Sequence, residues 1–228
     1  MKYKTLLFDL DGTILNTNEL IINSFLYTLE QFYPGKYNRE MIIPHMGKPL
    51  YEQMVIFGDE SHAEEMVKIY REHNLRTHDE YVLEFPHVKE VLETLKQEGA
   101  ILGVVTTKML NTTMMGLKRF GMDSLMSTIV SYEDTEFHKP APEPVLLAME
   151  RLGANPETTL MVGDSQYDIQ AAKNAGITAI GVAWSLKGPE FLKQFDPDYV
   201  IKDMRDLIPI VRGIKEDEEN KTISGERK

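Results

Sequence analysis

Apolar positions follow two different rhythms along this chain. Thr5 to Phe8 is a short apolar run that ends in turn chemistry at Gly12, which predicts a buried strand. From Asn16 to about Tyr81 the spacing becomes helical, and six residues would share one helix face: Ile22, Phe25, Leu26, Leu29, Phe32 and Tyr33. Proline and glycine punctuate this region, so the pattern predicts several short helices and no strand.

After Pro86, short β-branched runs alternate with amphipathic runs. The pattern predicts strands at 101–105, around 129–130, and at 159–162, 177–182 and 199–201, separated by helices that end near Gly99, Gly121, Gly153 and Gly176, with a last helix through Leu207. This alternation implies parallel strands with right-handed crossovers and helices on both faces. The sequence therefore predicts an α/β fold whose doubly wound parallel sheet comprises 1–15 and 82–213, with a helical insertion at 16–81 and a disordered polar tail at 214–228.

The amino-acid composition limits the kinds of partner that this protein is expected to bind. The 228 residues carry a formal net charge of -11, which argues against nucleic acid or an anionic membrane as the main partner. An anionic substrate would then need a local cation. Cysteine is absent, Asp9 and Asp11 interrupt the N-terminal apolar run too early for a signal peptide, and the uncharged stretch 174–186 is too short to span a bilayer. These features predict a soluble cytoplasmic protein, and none of them specifies an oligomeric state.

Two carboxylates follow the first predicted strand. Asp9 and Asp11 would point the same way in strand geometry, and their repulsion raises one apparent pKa unless a cation relieves it. The spacing does not match a calcium loop, which places its glycine two positions later. The alternative interpretation of Asp9 and Asp11 is a solvated turn after the strand. As a functional pair, Asp9 would attack phosphorus to form an aspartyl phosphate, and Asp11 would protonate the leaving group and then deprotonate water.

A second acidic group closes another predicted strand. Gly163 permits close approach to Asp164, which with Asp9 forms the best candidate pair of Mg²⁺ ligands. Asp168, one helical turn further on, could orient Asp164 or a bound water. The alternative for Asp164 and Ser165 is a helix N-cap without metal.

The remaining candidates are hydroxyl and cationic groups. Thr106 ends a predicted strand, where its hydroxyl could bind a phosphoryl oxygen, and Thr107 or Lys108 could hold the leaving portion. Lys139 precedes Pro140 and so favours an extended segment, from which its ammonium would offset the carboxylates and stabilise the transition state. Taken singly, a strand-end threonine reflects β-propensity and a Lys-Pro pair a surface loop.

The helical insertion also contains cations. Gly47 and Lys48 lack the flanking residues of a nucleotide P-loop. A basic cluster late in the insertion comprises Arg71, His73, Arg76 and His78. Such a cluster is typical of a solvated helix face. In a lid, however, Lys48 or this cluster could meet an anionic leaving group.

These motifs, in this order, resemble those of haloacid dehalogenase-type phosphatases over positions 1 to about 213: DLDGT at 9–13, Thr106, Lys139 in KPAPEP and GDSQYD at 163–168. The resemblance implies a Rossmann-like core, a helical cap after the first motif, Mg²⁺, Asp9 as nucleophile and the Asp11 backbone carbonyl as a further metal ligand. Within the family the chain is similar to phosphoglycolate phosphatases and more closely to bacterial pyrophosphatases, through VVTTK at 104–108, YREHN at 70–74, HKPAPEP and WSLKG at 184–188.

The resemblance therefore implies hydrolysis of inorganic pyrophosphate, with phosphoglycolate or another small phosphomonoester as the alternative substrate. A sugar-phosphate mutase is a weaker enzymatic alternative. A non-enzymatic receiver module also gathers acidic residues, a threonine and a lysine around magnesium, but it needs neither the helical insertion nor Asp11.

Overall fold

The computed structural model describes residues 1–214. Four consecutive helices follow the first two strands, and from the third strand onward strands and helices alternate. In chain order they are β1 (Thr5–Phe8), β2 (Leu15–Asn16), α1 (Asn18–Phe32), α2 (Arg39–Ile42), α3 (Leu50–Phe57), α4 (Glu60–Tyr81), β3 (Leu83–Glu84), α5 (Val88–Gln97), β4 (Ile101–Val105), α6 (Leu110–Arg119), β5 (Thr128–Val130), α7 (Glu143–Leu152), β6 (Thr159–Gly163), α8 (Gln166–Asn174), β7 (Thr178–Val182), α9 (Pro189–Lys193), β8 (Tyr199–Ile201) and α10 (Leu207–Arg212).

Six of the strands form a parallel sheet in the order β5-β4-β1-β6-β7-β8. Successive side chains of β1 point to opposite faces: Leu6 and Phe8 join the apolar cluster that includes α5, and Leu7 joins the cluster beneath α7 and α8. Helices therefore cover both faces, as predicted for a doubly wound fold. Because β1 lies between β4 and β6, the carboxyl ends of these three strands meet at one edge, where such sheets bind ligands.

Helices α1–α4, here called the cap, pack around an apolar cluster of their own. Ile22, Phe25 and Leu29 of α1 face Met54 of α3 and Met66 of α4 in this cluster. The predicted apolar face of α1 is thus confirmed. The chain enters and leaves the cap through β2 and β3, which pair antiparallel.

The structure differs from the sequence prediction in three places. Helix α4 runs for 22 residues instead of forming short helices, because no proline or glycine interrupts 60–81. Strands β2 and β3 have only two residues each, and α9 has five, so none leaves a periodic signal. Residues 215–228 of the predicted tail lie outside the described range, and the domain division at 16 and 82 stays a prediction. Within 1–214, none of the helices is both long and apolar enough to cross a membrane.

Candidate active site

Polar side chains from three strand ends converge on one cavity between the sheet edge and the cap. Asp9 follows β1, Thr106 follows β4 and Asp164 follows β6. The cavity has a volume of about 280 Å³, and its walls include most of the predicted residues: Asp9, Asp11, Gly47, Lys48, Arg71, Thr106, Thr107, Lys108, Lys139, Asp164 and Asp168. Gly163 and His73 are not among its lining residues.

Lys139 is the buried centre of this site, with only 4% of its surface exposed. Its Nζ donates hydrogen bonds to Asp9 Oδ1 at 2.6 Å, to Asp168 Oδ1 at 2.6 Å and to the Val105 carbonyl at 3.0 Å. Burial alone would lower the pKa of Lys139, but the charges of Asp168 and Asp9 outweigh it and raise the pKa above its usual range. The ammonium is therefore fixed and charged between two carboxylates.

Asp168 supports Lys139 instead of making the expected contact with Asp164. While Oδ1 accepts from Lys139, Oδ2 accepts from the backbone N–H of Ser165 at 3.0 Å and from its hydroxyl at 2.6 Å. Ser165 and Asp168 thereby form a capping box at the start of α8. The N-cap alternative is correct for Ser165, but it coexists with the acidic cluster. Gly163 contributes space, because a Cβ there would collide with Asp168.

The carboxylates of Asp9, Asp164 and Asp168 fit a hard divalent cation. One oxygen of each lies within 4.8 Å of the others. Burial raises the pKa of Asp9 to about 7; Lys139 opposes this, and the charges of Asp168 and Asp11 add to it. Burial and the charges of Asp9 and Asp168 likewise raise the pKa of Asp164 well above its usual range. A bound cation would relieve this repulsion, and all-oxygen donors suit Mg²⁺, Ca²⁺ or Mn²⁺.

Two further observations concern which groups are available to such a cation. Both oxygens of Asp168 already accept hydrogen bonds, whereas the Asp164 side chain accepts none from the described residues. Gly12, at a φ of +83°, brings the backbone next to Asp164: a Cβ there would lie 2.5 Å from Asp164 Oδ2. Asp9 and Asp164 are therefore the side chains best placed to bind metal.

Asp11 lies on the same cavity but has a separate partner. Lys108 Nζ donates to Asp11 Oδ1 at 2.9 Å and Oδ2 at 3.3 Å. The Lys108 backbone N–H in turn donates to Thr106 Oγ1 at 3.1 Å. Since that contact uses the threonine oxygen as an acceptor, the Thr106 hydroxyl proton remains free to bind an anion.

The cap supplies cavity residues that sequence reasoning missed. Tyr70 and Asn74 lie on one face of α4, Gln53 lies on α3, and an apolar wall completes the roof: Ile21, Phe25, Met46, Leu50, Tyr51 and Leu75. The sequence contained a signal for this helix face, because Met66, Tyr70, Asn74 and His78 recur every four residues. In the structure all four side chains are buried. Burial, with the nearby charge of Asp11, raises the pKa of Tyr70 above its usual range, so its hydroxyl stays protonated.

The basic cluster on α4 divides between solvent and packing. Arg71 and Arg76 are exposed, as expected for a solvated face, and Arg71 lines the cavity. His73 stacks on Tyr27 with ring centroids 4.2 Å apart and contacts Ser24, and His78 is only 2% exposed. Neither histidine is among the residues that line the cavity, because the helix turn directs His73 into the packing between α1 and α4.

A parallel α/β sheet with a cap above a carboxylate cluster defines a class of hydrolases, and sequence comparison agrees. The model of the haloacid dehalogenase-like hydrolases matches residues 6–182. The chain belongs to this family and is an enzyme of the hydrolase class.

Individual relatives are similar over nearly the whole chain. A pyrophosphatase, PpaX, of Halalkalibacterium halodurans is 48% identical, with 94% of this chain and 99% of that protein covered. The solved structure of a haloacid dehalogenase-like hydrolase from Bacteroides fragilis superposes with a TM-score of 0.85 at 29% identity, covering 90% of this chain and 100% of that one. A predicted phosphoglycolate phosphatase of Haemophilus somnus gives a TM-score of 0.80 at 27% identity, covering 92% and 98%.

Proposed function

We propose that this protein is a Mg²⁺-dependent phosphohydrolase that cleaves inorganic pyrophosphate into two phosphates through an aspartyl-phosphate intermediate. The observation that carries the proposal is the joint position of Asp9 and Asp11 on one cavity, each held by its own lysine. The choice of pyrophosphate is supported by the name of the PpaX relative, of which 99% is covered at 48% identity.

In the proposed reaction, an Asp9 carboxylate oxygen attacks the phosphorus atom, and the bond from phosphorus to the bridging oxygen breaks. Asp11 delivers a proton to the departing phosphate, then removes one from the water that attacks the phosphorus and releases Asp9. Lys139 orients Asp9 and offsets negative charge on the transferring group, and the Thr106 hydroxyl donates to one of its oxygens. Asp9, Asp164 and the Asp11 carbonyl would hold Mg²⁺, which when bound neutralises phosphoryl oxygens.

The position of Lys108 supports phosphate as the leaving group. Its Nζ lies 2.9 Å from Asp11 Oδ1 on the cavity wall, beside the group that would protonate the departing oxygen. A departing phosphate carries negative charge that a neighbouring ammonium can offset, whereas a protonated alcohol carries none. The site therefore suits pyrophosphate better than an alkyl phosphomonoester.

We also propose that residues 16–81 act as a cap domain over a core formed by 1–15 and 82–213. Gly47, Lys48 and Arg71 would contact the distal phosphate from the cap, because all three line the cavity opposite the carboxylates. The cytoplasmic location predicted from composition is part of the same proposal.

The test is a phosphate-release assay with Mg²⁺ on pyrophosphate, phosphoglycolate and a panel of other small phosphates. We expect the highest kcat/KM with pyrophosphate and loss of turnover in Asp9→Asn, whose amide is not a nucleophile. A preference for phosphoglycolate or another phosphomonoester would replace the proposed substrate. Full activity of Asp9→Asn would exclude the covalent mechanism.

A further inference from the structure

The loop between β7 and α9, residues 184–188, joins the core to the cap and is here called the docking loop. Leu186 packs against the apolar cluster of the cap. Next to it, Lys187 Nζ donates to the backbone carbonyl of Met46 in the cap at 2.8 Å and to Gln166 Oε1 of α8 at 2.8 Å. One loop of the core thus contacts the cap through both an apolar and a charged side chain.

Lys187 is unusual among the lysines near the site because it has no carboxylate partner among residues 1–214 within ion-pair distance. Its Nζ lies 5.4 Å from the ring centroid of Tyr167 and 5.6 Å from that of Phe191. Burial lowers the pKa of Lys187, and the charges of Asp164 and Asp168 only partly offset this. The two oxygens that accept hydrogen bonds from its ammonium are both neutral, and one of them belongs to the cap.

The docking loop is also connected to the carboxylate cluster. The Ser185 hydroxyl donates to the Asp164 carbonyl at 2.6 Å, and its oxygen accepts the Lys187 backbone N–H at 3.2 Å. Hydrogen bonds thus link the Asp164 backbone to Ser185 and Ser185 to the backbone of Lys187, whose side chain then reaches Met46.

Met46 itself lines the cavity, and so does Gly47, which follows it. At Gly47, with a φ of +101°, a Cβ would lie 2.9 Å from Tyr167 Cδ2 and 3.1 Å from Ser165 Oγ, so this segment sits directly on the start of α8. Lys48 follows and lines the cavity. Any movement of the Met46 carbonyl away from Lys187 would move both residues away from the carboxylates.

We propose that Lys187 is a positioning residue that holds the Met46–Lys48 segment of the cap over the active site. This proposal rests on the proposed function in one respect: the form with the cap closed is the form that turns over substrate. Lys187 acts through the cap backbone and does not line the cavity. When the cap opens, the ammonium loses one of its two acceptors, which favours the closed form.

The first test measures the cap directly, without substrate. Amide hydrogen exchange is compared between the wild type and Lys187→Met, which keeps an unbranched apolar stem but no charge. We expect exchange in residues 46–53 to accelerate roughly tenfold or more, because a charge-assisted hydrogen bond is lost, while exchange in β6 stays unchanged. Lys193→Met is the matched control, because Lys193 is an exposed lysine on α9 whose ion-pair partner within residues 1–214 is Glu190.

The second test is kinetic and uses p-nitrophenyl phosphate, so that it does not depend on the identity of the natural substrate. A smaller closed fraction weakens apparent affinity, so Lys187→Met should raise KM roughly tenfold with a smaller change in kcat. Lys187→Arg keeps the charge and should restore KM to within about threefold of the wild type.

Unchanged exchange in 46–53 or an unchanged KM in Lys187→Met would overturn the assignment. Equal acceleration in β6, or the same effect in Lys193→Met, would do so too by revealing a general loss of stability. Failure of pyrophosphate hydrolysis would overturn the proposed substrate and leave the exchange result intact, so the two failures are distinguishable.

Discussion

Replacement of Lys139 by methionine tests the electrostatics at the centre of the site. The ammonium contacts Asp9 and Asp168 at 2.6 Å each, and the Lys139 and Asp168 side chains are only 3% and 2% exposed. Lys139→Met removes this charge with little change in apolar volume. Two buried carboxylates then lie close together without their shared counter-charge.

Removal of one partner from a buried ion pair costs about 3–5 kcal/mol. Here one lysine pairs with two carboxylates, which would make its removal more costly. The carboxylates can take up protons once the lysine is removed, however, so we expect a loss of stability within the same range. For a chain of this size the loss corresponds to a melting temperature lower by roughly 6–20 °C. Lower pH should recover part of the stability, because protonation removes the unpaired charges.

The assay is urea unfolding followed by circular dichroism at pH 8 and pH 5. The double variant Asp9→Asn with Lys139→Met should recover part of the lost stability, because one unpaired carboxylate is gone. The control Lys193→Met removes an exposed pair and should change stability by less than about 1 kcal/mol. A loss below about 1 kcal/mol in Lys139→Met, or a loss that is the same at both pH values, would refute the reasoning.

Three further predictions concern the carboxylates. Asp11→Asn should lower kcat by roughly 10²–10⁴-fold because proton transfer is lost. The Mg²⁺ concentration for half-maximal activity should stay unchanged, because the backbone carbonyl is retained. Normal turnover of this variant would contradict the role of Asp11 in proton transfer. Asp164→Ala should raise that Mg²⁺ concentration by at least about tenfold, and an unaltered Mg²⁺ titration would remove Asp164 from the metal site. The pKa of Asp9, raised from 3.8 to about 7, means that the folded state binds more protons than the unfolded state between these values. The metal-free wild type should therefore lose stability relative to Asp9→Asn as pH rises from about 4 to about 7, by a few kcal/mol at most, and thermal melts with Mg²⁺ should show a smaller relative loss; a wild type that gains stability relative to Asp9→Asn over this window would contradict the shift.

The carboxylate side of the cavity was predictable from sequence because its residues directly follow strands. A short buried run such as Thr5–Phe8 can only be a strand, and the ends of neighbouring parallel strands must meet at one edge. The sequence therefore predicted Asp9, Thr106 and Asp164 at the same edge of the sheet, and the observed strand order, with β1 between β4 and β6, brings them together. Lys139 was harder to identify as a site residue, because it lies in a loop. Its assignment depended on the presence of the other motifs.

The cap side was less predictable, because a helix presents several faces and spacing alone does not say which one faces the core. Arg71 and His73 are two residues apart on α4, so their side chains point in different directions. One reaches the cavity and the other packs on Tyr27. Lys187 lies in the WSLKG motif, but the sequence did not indicate its contact, since its acceptor is a backbone carbonyl 141 residues away along the chain.

The pairing of Asn16 with Leu83 bears on how this chain can be rebuilt. Because the two crossings run side by side, residues 17–82 begin and end at neighbouring points, and a short Asn-Gly hairpin turn could replace them without altering any crossover of the main sheet. We therefore expect that the cap can be exchanged as one segment, provided that Leu20 and Val82, which pack in the apolar cluster of the main sheet, are retained. A cap from another member of the family could then be joined to the same carboxylates to change the molecule that is accepted.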